Sequence, residues 1–204
     1  MKFWKSLACL LCAGLAIPAV PLSAQASHDV YAYTVQNDGS LAVTCKDKNI
    51  VNAEIPAEID GVPVTVIADH AFAFKDVASY VIPDSVTTIA DGAFAYNDEL
   101  TSITIPNSVT TLGKGALEEC EALTTVSLSA NLETISSQLF SNCPALTTIS
   151  IPEGVTRIEE EAFYSCTALA SISVPDSVEY IGKKAFYNNP WYNTQLEVNP
   201  FVIV

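Results

Sequence analysis

The chain has 204 residues, of which 23 are acidic and only 9 are basic, giving a formal net charge of −14. Lysine and arginine form no cluster that could neutralise phosphates, which argues against nucleic acid and anionic membranes as partners. The acidic balance by itself is explained by solubility.

The first segment, 1–26, has the features of a secretory signal peptide. Lys2 and Lys5 form a short basic start, an apolar run follows over 7–20, and Ala24-Gln25-Ala26 supplies small residues for cleavage before Ser27. A retained anchor is the weaker alternative, since the apolar run is short for a membrane span. Cleavage would leave seven basic residues and a net charge of −16, with no membrane insertion expected.

The next segment, 27–49, is predicted to be a β-hairpin. Apolar and polar residues alternate on both sides of Asn37-Asp38-Gly39, which is a strong turn signal. We expect this hairpin to cover the open end of the structure that follows.

A 23-residue repeat dominates 50–191. Leu100, Leu123, Leu146 and Leu169 open the phrases LTSITIP, LTTVSLS, LTTISIP and LASISVP, and an AF pair usually follows. The alternation predicts a short strand, the proline ends it, and the AF pair is expected on a short helical turn. A fixed period of this length predicts a solenoid of stacked coils with a parallel β-sheet.

One position near the end of the coils is occupied by asparagine or cysteine. We predict a buried structural ladder of free side chains at this position: Asn97, Cys120, Cys143, Cys166 and Asn189. Adjacent coils lie about 4.8 Å apart, within the range of a disulfide bridge, so the redox state of the three cysteines stays open.

The outward strand positions carry rows of hydroxyl groups. These residues are Ser102, Thr104, Thr125, Ser127, Thr148, Ser150, Ser171 and Ser173. Strand propensity and solubility explain such rows without any function. The alternative is a flat polar docking face, and these eight residues are our candidate binding residues.

Motifs that carry chemistry are absent. There is no GxSxG, HExxH, CxxC or glycine-rich phosphate loop. His70 beside Asp69 has the character of a surface residue, and consecutive glutamates such as Glu159-Glu160-Glu161 point in different directions, which disfavours calcium. We therefore expect no catalysis, no cofactor and no metal site.

The final segment, 192–204, departs from the repeat and is expected to be an irregular strand. It ends on four apolar residues, Phe201-Val202-Ile203-Val204, where a solenoid usually has a polar cap. A shortened repeat is the prediction, and whether the chain is a fragment stays open.

The repeated phrase, the AF pair and the Asn or Cys position together resemble the BspA-like leucine-rich repeat family, over about residues 30–200. The resemblance implies a right-handed leucine-rich-repeat solenoid, export or surface display, and no catalytic residues. We therefore predict a monomeric, non-catalytic, secreted or cell-surface protein that mediates protein binding or adhesion through an extracellular protein or glycan ligand. The alternatives are a scaffold domain of a larger exported enzyme or carbohydrate-degrading assembly, and a glycan-binding face.

Overall fold

The protein is a β-solenoid of about six turns. The computed structural model describes residues 30–47, 49–50 and 53–198, so the predicted signal peptide and residues 199–204 lie outside the described part. The coils are numbered here by their residues: coil 1 (50–76), coil 2 (77–99), coil 3 (100–122), coil 4 (123–145), coil 5 (146–168) and coil 6 (169–189).

The predicted hairpin is present at the N-terminal end. Strand β1 (Tyr31–Val35) pairs antiparallel with β2 (Leu41–Cys45). The turn is closed by Asp38, whose carboxylate accepts hydrogen bonds from the backbone N–H and the hydroxyl of Ser40 at 2.9 and 2.7 Å. Because β2 pairs in parallel with β5 (Val62–Ile67) of coil 1, the hairpin extends one sheet of the solenoid.

Coil 1 contains β3 (Ala53–Glu54), β4 (Glu58–Ile59) and β5 (Val62–Ile67). Strands β4 and β5 pair antiparallel around Asp60 and Gly61, whose φ angles are 54° and 76°. Two consecutive positive φ values are typical of the tight turns that suit the twist of a hairpin. The irregularity of this coil is therefore a small inserted hairpin.

From coil 2 onward each coil contributes one long and one short strand. In-register parallel pairing joins many of them, as between Thr125 and Ser102. The long strands are β6 (Ser79–Val81), β8 (Ser102–Thr104), β10 (Thr125–Ser127), β12 (Thr148–Ser150) and β14 (Ser171–Ser173). The short strands are β7 (Thr88–Ile89), β9 (Thr111–Leu112), β11 (Thr134–Ile135), β13 (Arg157–Ile158) and β15 (Tyr180–Ile181).

The third side of each coil is not the helical turn that the sequence predicted. Every coil has two residues four positions apart whose φ angle is positive, in the left-handed region. The N–H groups of these two residues and of the residue midway between them point along the solenoid axis. The N–H groups of Gly92, Phe94 and Tyr96 each donate to a carbonyl of coil 3 at 2.9 Å. We call this repeated set of bonds the turn ladder. Its left-handed residues are His70, Phe74, Gly92, Tyr96, Gly115, Glu119, Gln138, Asn142, Glu161, Ser165, Lys184 and Asn188.

The core is built from columns of side chains that stack from coil to coil. Phe72 and Phe94 stack with centroids 5.5 Å apart, and Phe140, Phe163 and Phe186 continue the column at 5.3 and 5.4 Å. The rings of Phe72, Phe140 and Phe163 are each covered by the ring of the next coil, and buried Leu117 takes this position in coil 3. No coil could therefore bury its apolar side chains alone.

Residues 190–198 form a helix, which corrects the prediction of an irregular strand as far as residue 198, and residues 199–204 lie outside the described part. Helix α1 spans Pro190–Val198. Asn189 caps it, because its side-chain oxygen accepts a hydrogen bond from the Tyr192 N–H at 2.9 Å. Proline directly after the cap already has the φ angle of a first helical turn. The Trp191 ring packs on Phe186 with centroids 4.8 Å apart, so α1 covers part of the last coil.

Coil 4 interrupts both sheets. Within the described residues, β10 forms no ladder with β12, and β9 forms none with β11. Ser129 stands where coils 2, 3, 5 and 6 have proline, and its hydroxyl donates to the Val109 carbonyl at 2.6 Å. Ser136 also donates from its side chain, to the Leu112 carbonyl. Side chains thus replace the missing backbone bonds between coils 3 and 4, while the turn ladder continues unbroken through coil 4.

Candidate binding surfaces

The predicted hydroxyl rows lie on the outer face of the long strands. Register pairs place Thr125 beside Ser102, Ser127 beside Thr104, and Ser150 beside Ser173. All eight candidates are exposed: Ser102, Thr104, Thr125, Ser127, Thr148, Ser150, Ser171 and Ser173. We call this surface the hydroxyl face.

The hydroxyl face has a regular spacing set by the strands. Neighbouring hydroxyls lie about 4.8 Å apart across strands and about 6.6 Å apart along one strand. None of the eight side chains makes a hydrogen bond to another part of the described chain, so their donors and acceptors point to solvent. The face can therefore form many weak polar contacts with a flat partner.

The three ladder cysteines are buried and free. Each thiol donates to a carbonyl of the preceding coil: Cys120 to Phe94 at 3.4 Å, Cys143 to Leu117 at 3.1 Å and Cys166 to Phe140 at 3.0 Å. Burial raises the pKa of Cys120 and Cys166 to about 12, and that of Cys143 well above its usual value. A thiol with so high a pKa is a poor nucleophile, so this arrangement is structural.

The two ladder asparagines differ from each other. Asn97 donates from Nδ2 to the carbonyls of Phe72 and Phe94, both at 2.8 Å, and its Oδ1 accepts from the Tyr80 hydroxyl at 2.6 Å. Asn189 instead caps α1, and its buried Nδ2 has no hydrogen-bond partner. The ladder thus ends where the chain leaves the repeat.

Lys75 occupies the ladder position of coil 1, which the sequence analysis missed. It is only 8% exposed, and its Nζ donates to the Asp47 carbonyl at 2.7 Å, as the cysteines donate to preceding coils. The signal was available, because AFAFKD in coil 1 aligns with AFAYND in coil 2. Because lysine is usually a surface residue, its residue type did not indicate a buried position.

Clusters suited to chemistry are not formed by the described residues. No group of three or more His, Cys, Asp or Glu side chains there could hold a metal ion. The glutamates of coil 5 diverge, since Glu159 pairs with Arg157 at 2.8 Å whereas Glu161 accepts from Gln138 at 2.9 Å. A pocket of 130 Å³ between coil 6 and α1, lined by Phe186 and Tyr192 among others, is small compared with ordinary ligand sites.

Two further surface features come from aromatic residues on the turn side. Phe74 and Tyr96 stack in parallel on coils 1 and 2, with centroids 4.6 Å apart. Tyr164 and Tyr187 stack on coils 5 and 6 at 5.4 Å. The sequence analysis did not pair these rings, although Tyr164 and Tyr187 lie one 23-residue period apart and the signal was therefore available.

Comparison with family models identifies the repeat. The model described as the BspA type leucine-rich repeat region matches residues 65–192 in six copies. The chain belongs to the BspA-type leucine-rich repeat family. The match confirms the resemblance drawn from the sequence. Comparison with curated proteins gave no match.

Solved structures of bacterial leucine-rich repeat proteins share the fold of this BspA-type chain. A leucine-rich cell surface protein from Faecalibacterium prausnitzii is 28% identical over 79% of this chain and 36% of its own, with a TM-score of 0.53. A protein from Eubacterium ventriosum is 28% identical over 78% of this chain and 50% of its own, with a TM-score of 0.52. TpLRR from T. pallidum is 25% identical over 78% and 64%, with a TM-score of 0.54.

The chain therefore spans between about one third and two thirds of the length of these structures. The BspA-type family and its structural neighbours identify a repeat protein, and one neighbour is described as a cell surface protein. None of the described helices is both long and apolar enough to cross a membrane.

Proposed function

We propose that this protein is a non-catalytic repeat protein, exported to the cell surface or the medium, that binds an extracellular protein through its hydroxyl face. The observation that carries the proposal is the exposure of eight hydroxyl side chains on the outer face of four long strands, which pair in register as β8 with β10 and as β12 with β14. Such a face offers shape and hydrogen bonds without any reactive group.

Three features support binding over catalysis. The ladder thiols are buried with raised pKa values, the glutamates diverge, and the described cavity under α1 is small. A solenoid surface that is regular over several coils suits contact with a large partner. Export is supported by the N-terminal sequence pattern and by the similarity to the Faecalibacterium protein, which is a leucine-rich cell surface protein.

Lysine substitutions on the hydroxyl face test the proposal. A Thr125→Lys/Thr148→Lys variant places two bulky charges in the middle of the face. The matched control, Thr110→Lys/Thr156→Lys, adds the same charge at exposed positions flanking the short strands. Binding of each protein to immobilised extracellular proteins and to a glycan array is measured by surface plasmon resonance.

We expect the hydroxyl-face variant to lose protein binding by about tenfold or more, because charges would be buried without partners, whereas the control keeps its affinity. Equal binding by both variants would contradict the assignment to this face. Retention on glycans alone would favour the glycan-binding alternative.

A further inference from the structure

Phe74 and Tyr96 form an aromatic pair on the outer surface of coils 1 and 2. Their centroids are 4.6 Å apart and their ring planes differ by only 5°. Phe74 is 68% exposed and Tyr96 is 38% exposed. Unlike the phenylalanine column inside the solenoid, these rings stand largely in solvent, so burial of apolar area does not account for them.

Phe74 and Tyr96 occupy backbone positions that disfavour large side chains. Phe74 and Tyr96 both have φ of 58°, in the left-handed region that bulky residues avoid. The same position in coils 3 to 6 holds polar or small residues: Glu119, Asn142, Ser165 and Asn188. Two aromatic residues are thus kept where the backbone disfavours them and the core does not use them, a combination typical of functional positions.

The surroundings of the pair are acidic. The pKa of Tyr96 is raised, first by the negative charge of Glu118, then by partial burial and by Glu119. Lys75 lies next to Phe74 in sequence but turns inward to the Asp47 carbonyl. The exposed rings therefore lie in a field that attracts cations.

Two aromatic rings elsewhere on the described surface already have cations of their own. The Arg157 guanidinium lies 4.1 Å from the centre of the Tyr180 ring, and the Lys184 ammonium lies 5.9 Å from that of Tyr164. Over Phe74 and Tyr96 no cation from the described residues is found. The pair has the aromatic and acidic parts of a cation site and no cation over its rings, although the charges of Lys114 and His70 reach Glu118.

We infer that Phe74 and Tyr96, together with Glu118 and Glu119, bind lysine or arginine side chains of a basic segment of the partner protein. The alkyl part of such a side chain packs on the rings, while its charged head is held by the ring faces and the two carboxylates. The net charge of −14 favours a basic segment over an acidic one. This inference rests on the proposed protein-binding function but uses a surface separate from the hydroxyl face.

A peptide of alternating arginine and glycine, labelled with a fluorophore, is the probe. Its affinity for the purified protein is measured by fluorescence anisotropy at low and high salt. In the test variant, Phe74→Ser/Tyr96→Ser, we expect binding about tenfold weaker, in line with the strength of cation–π contacts. The matched control, Tyr164→Ser/Tyr187→Ser, removes a stacked pair at which the chain supplies the cation and should change the affinity less than twofold.

Two further variants keep the result interpretable. Glu118→Gln/Glu119→Gln should weaken binding and reduce its dependence on salt. Phe74→Lys should also weaken binding, because it places a cation next to Tyr96 as Lys184 is placed next to Tyr164. Circular dichroism melting confirms that each variant is folded.

Equal affinity of the wild type and Phe74→Ser/Tyr96→Ser would overturn the inference, since the peptide would then be held only by the overall negative charge. Competition by a neutral oligosaccharide would overturn it in favour of a sugar ligand. Failure here, with loss of partner binding still caused by Thr125→Lys/Thr148→Lys, would leave the proposed function standing. If the test variant loses peptide binding while Thr125→Lys/Thr148→Lys keeps its partner binding, the aromatic site is supported and the assignment of partner binding to the hydroxyl face is contradicted.

Discussion

Asn97 shows how one side chain can hold three parts of the coil together. Its amide satisfies the buried carbonyls of Phe72 and Phe94, and its oxygen accepts from Tyr80, all in a fully buried position. Polar groups at such depth are costly when a partner is removed, because the remaining groups stay buried without hydrogen bonds.

Replacing Asn97 by alanine is therefore expected to lower the free energy of unfolding by about 2–4 kcal/mol. Asn97→Cys should cost less, because the thiol can donate to the preceding coil as Cys120 does. Urea unfolding followed by circular dichroism measures both. Glu99→Ala, at an exposed position two residues away, is the control and should stay within about 0.5 kcal/mol of the wild type. Equal stability of Asn97→Ala and Glu99→Ala would contradict the ladder role.

The ladder was predictable at the residue scale only in part. Cys120, Cys143 and Cys166 recur at the period, so their shared burial followed from the repeat. Lys75 was not predicted, and Asn189, although predicted and buried, forms a different contact, because the first coil has the hairpin as its neighbour and the last has α1. Where the neighbour changes, the same position forms a different contact.

At the scale of elements, the strands followed from sequence and the turns did not. Alternating Ile and Thr residues with a terminal proline determined the long strands. The turn ladder needs two left-handed residues in each coil, and only Gly92 and Gly115 among the twelve mark them by residue type. At the other positions, hydrogen bonds to the next coil stabilise the positive φ angle. The sequence of a single repeat does not reveal these bonds.

The interruption at coil 4 predicts a difference in amide exchange between equivalent positions. The N–H of Thr124 donates to Thr101, and that of Ile105 to Ser127, across the intact pair β8 and β10. The equivalent amides, Thr147 and Leu128, have no such bond within the described chain, because β10 and β12 are not paired. We expect Thr147 and Leu128 to exchange faster than Thr124 and Ile105.

Hydrogen exchange resolved by residue in NMR measures these four amides. The N–H of Phe140, which donates to Ala162 at 2.8 Å in the turn ladder of the same coil, is the internal control and should exchange slowly. Slow exchange at Thr147 and Leu128 would show that the two sheets are continuous in solution. Fast exchange at all five amides would indicate that coil 4 as a whole is loosely held.

At the scale of the whole molecule, buried acids link stability to alkaline pH. Burial raises the pKa of the Cys120 and Cys166 thiols from 9.0 to about 12, and that of Tyr31 from 10.0 to about 12. Between these limits the folded chain holds protons that the unfolded chain has lost. The free energy of unfolding therefore falls as pH rises, because these groups ionise in the unfolded state and stay neutral in the folded core.

We therefore expect the free energy of unfolding to be nearly constant up to about pH 9 and to fall toward about pH 12. Each buried group that stays protonated lowers the free energy of unfolding by up to about 1.4 kcal/mol per pH unit, between its pKa in the unfolded state and its pKa in the folded state. Denaturant unfolding at a series of pH values measures the slope. A Cys120→Ala/Cys166→Ala variant should show a shallower fall than the wild type. Identical slopes would show that other groups control the alkaline transition.

The unbroken turn ladder at coil 4 has a mechanical consequence. Coils 3, 4 and 5 are joined on the turn side by every bond of that ladder, while each junction lacks one of its two sheet ladders. We therefore expect bending at coil 4 to change the length of the sheet side more than that of the turn side. Because the hydroxyl face crosses coil 4, such bending would change the curvature of this face, whereas Phe74 and Tyr96 lie in coils 1 and 2, outside the interruption.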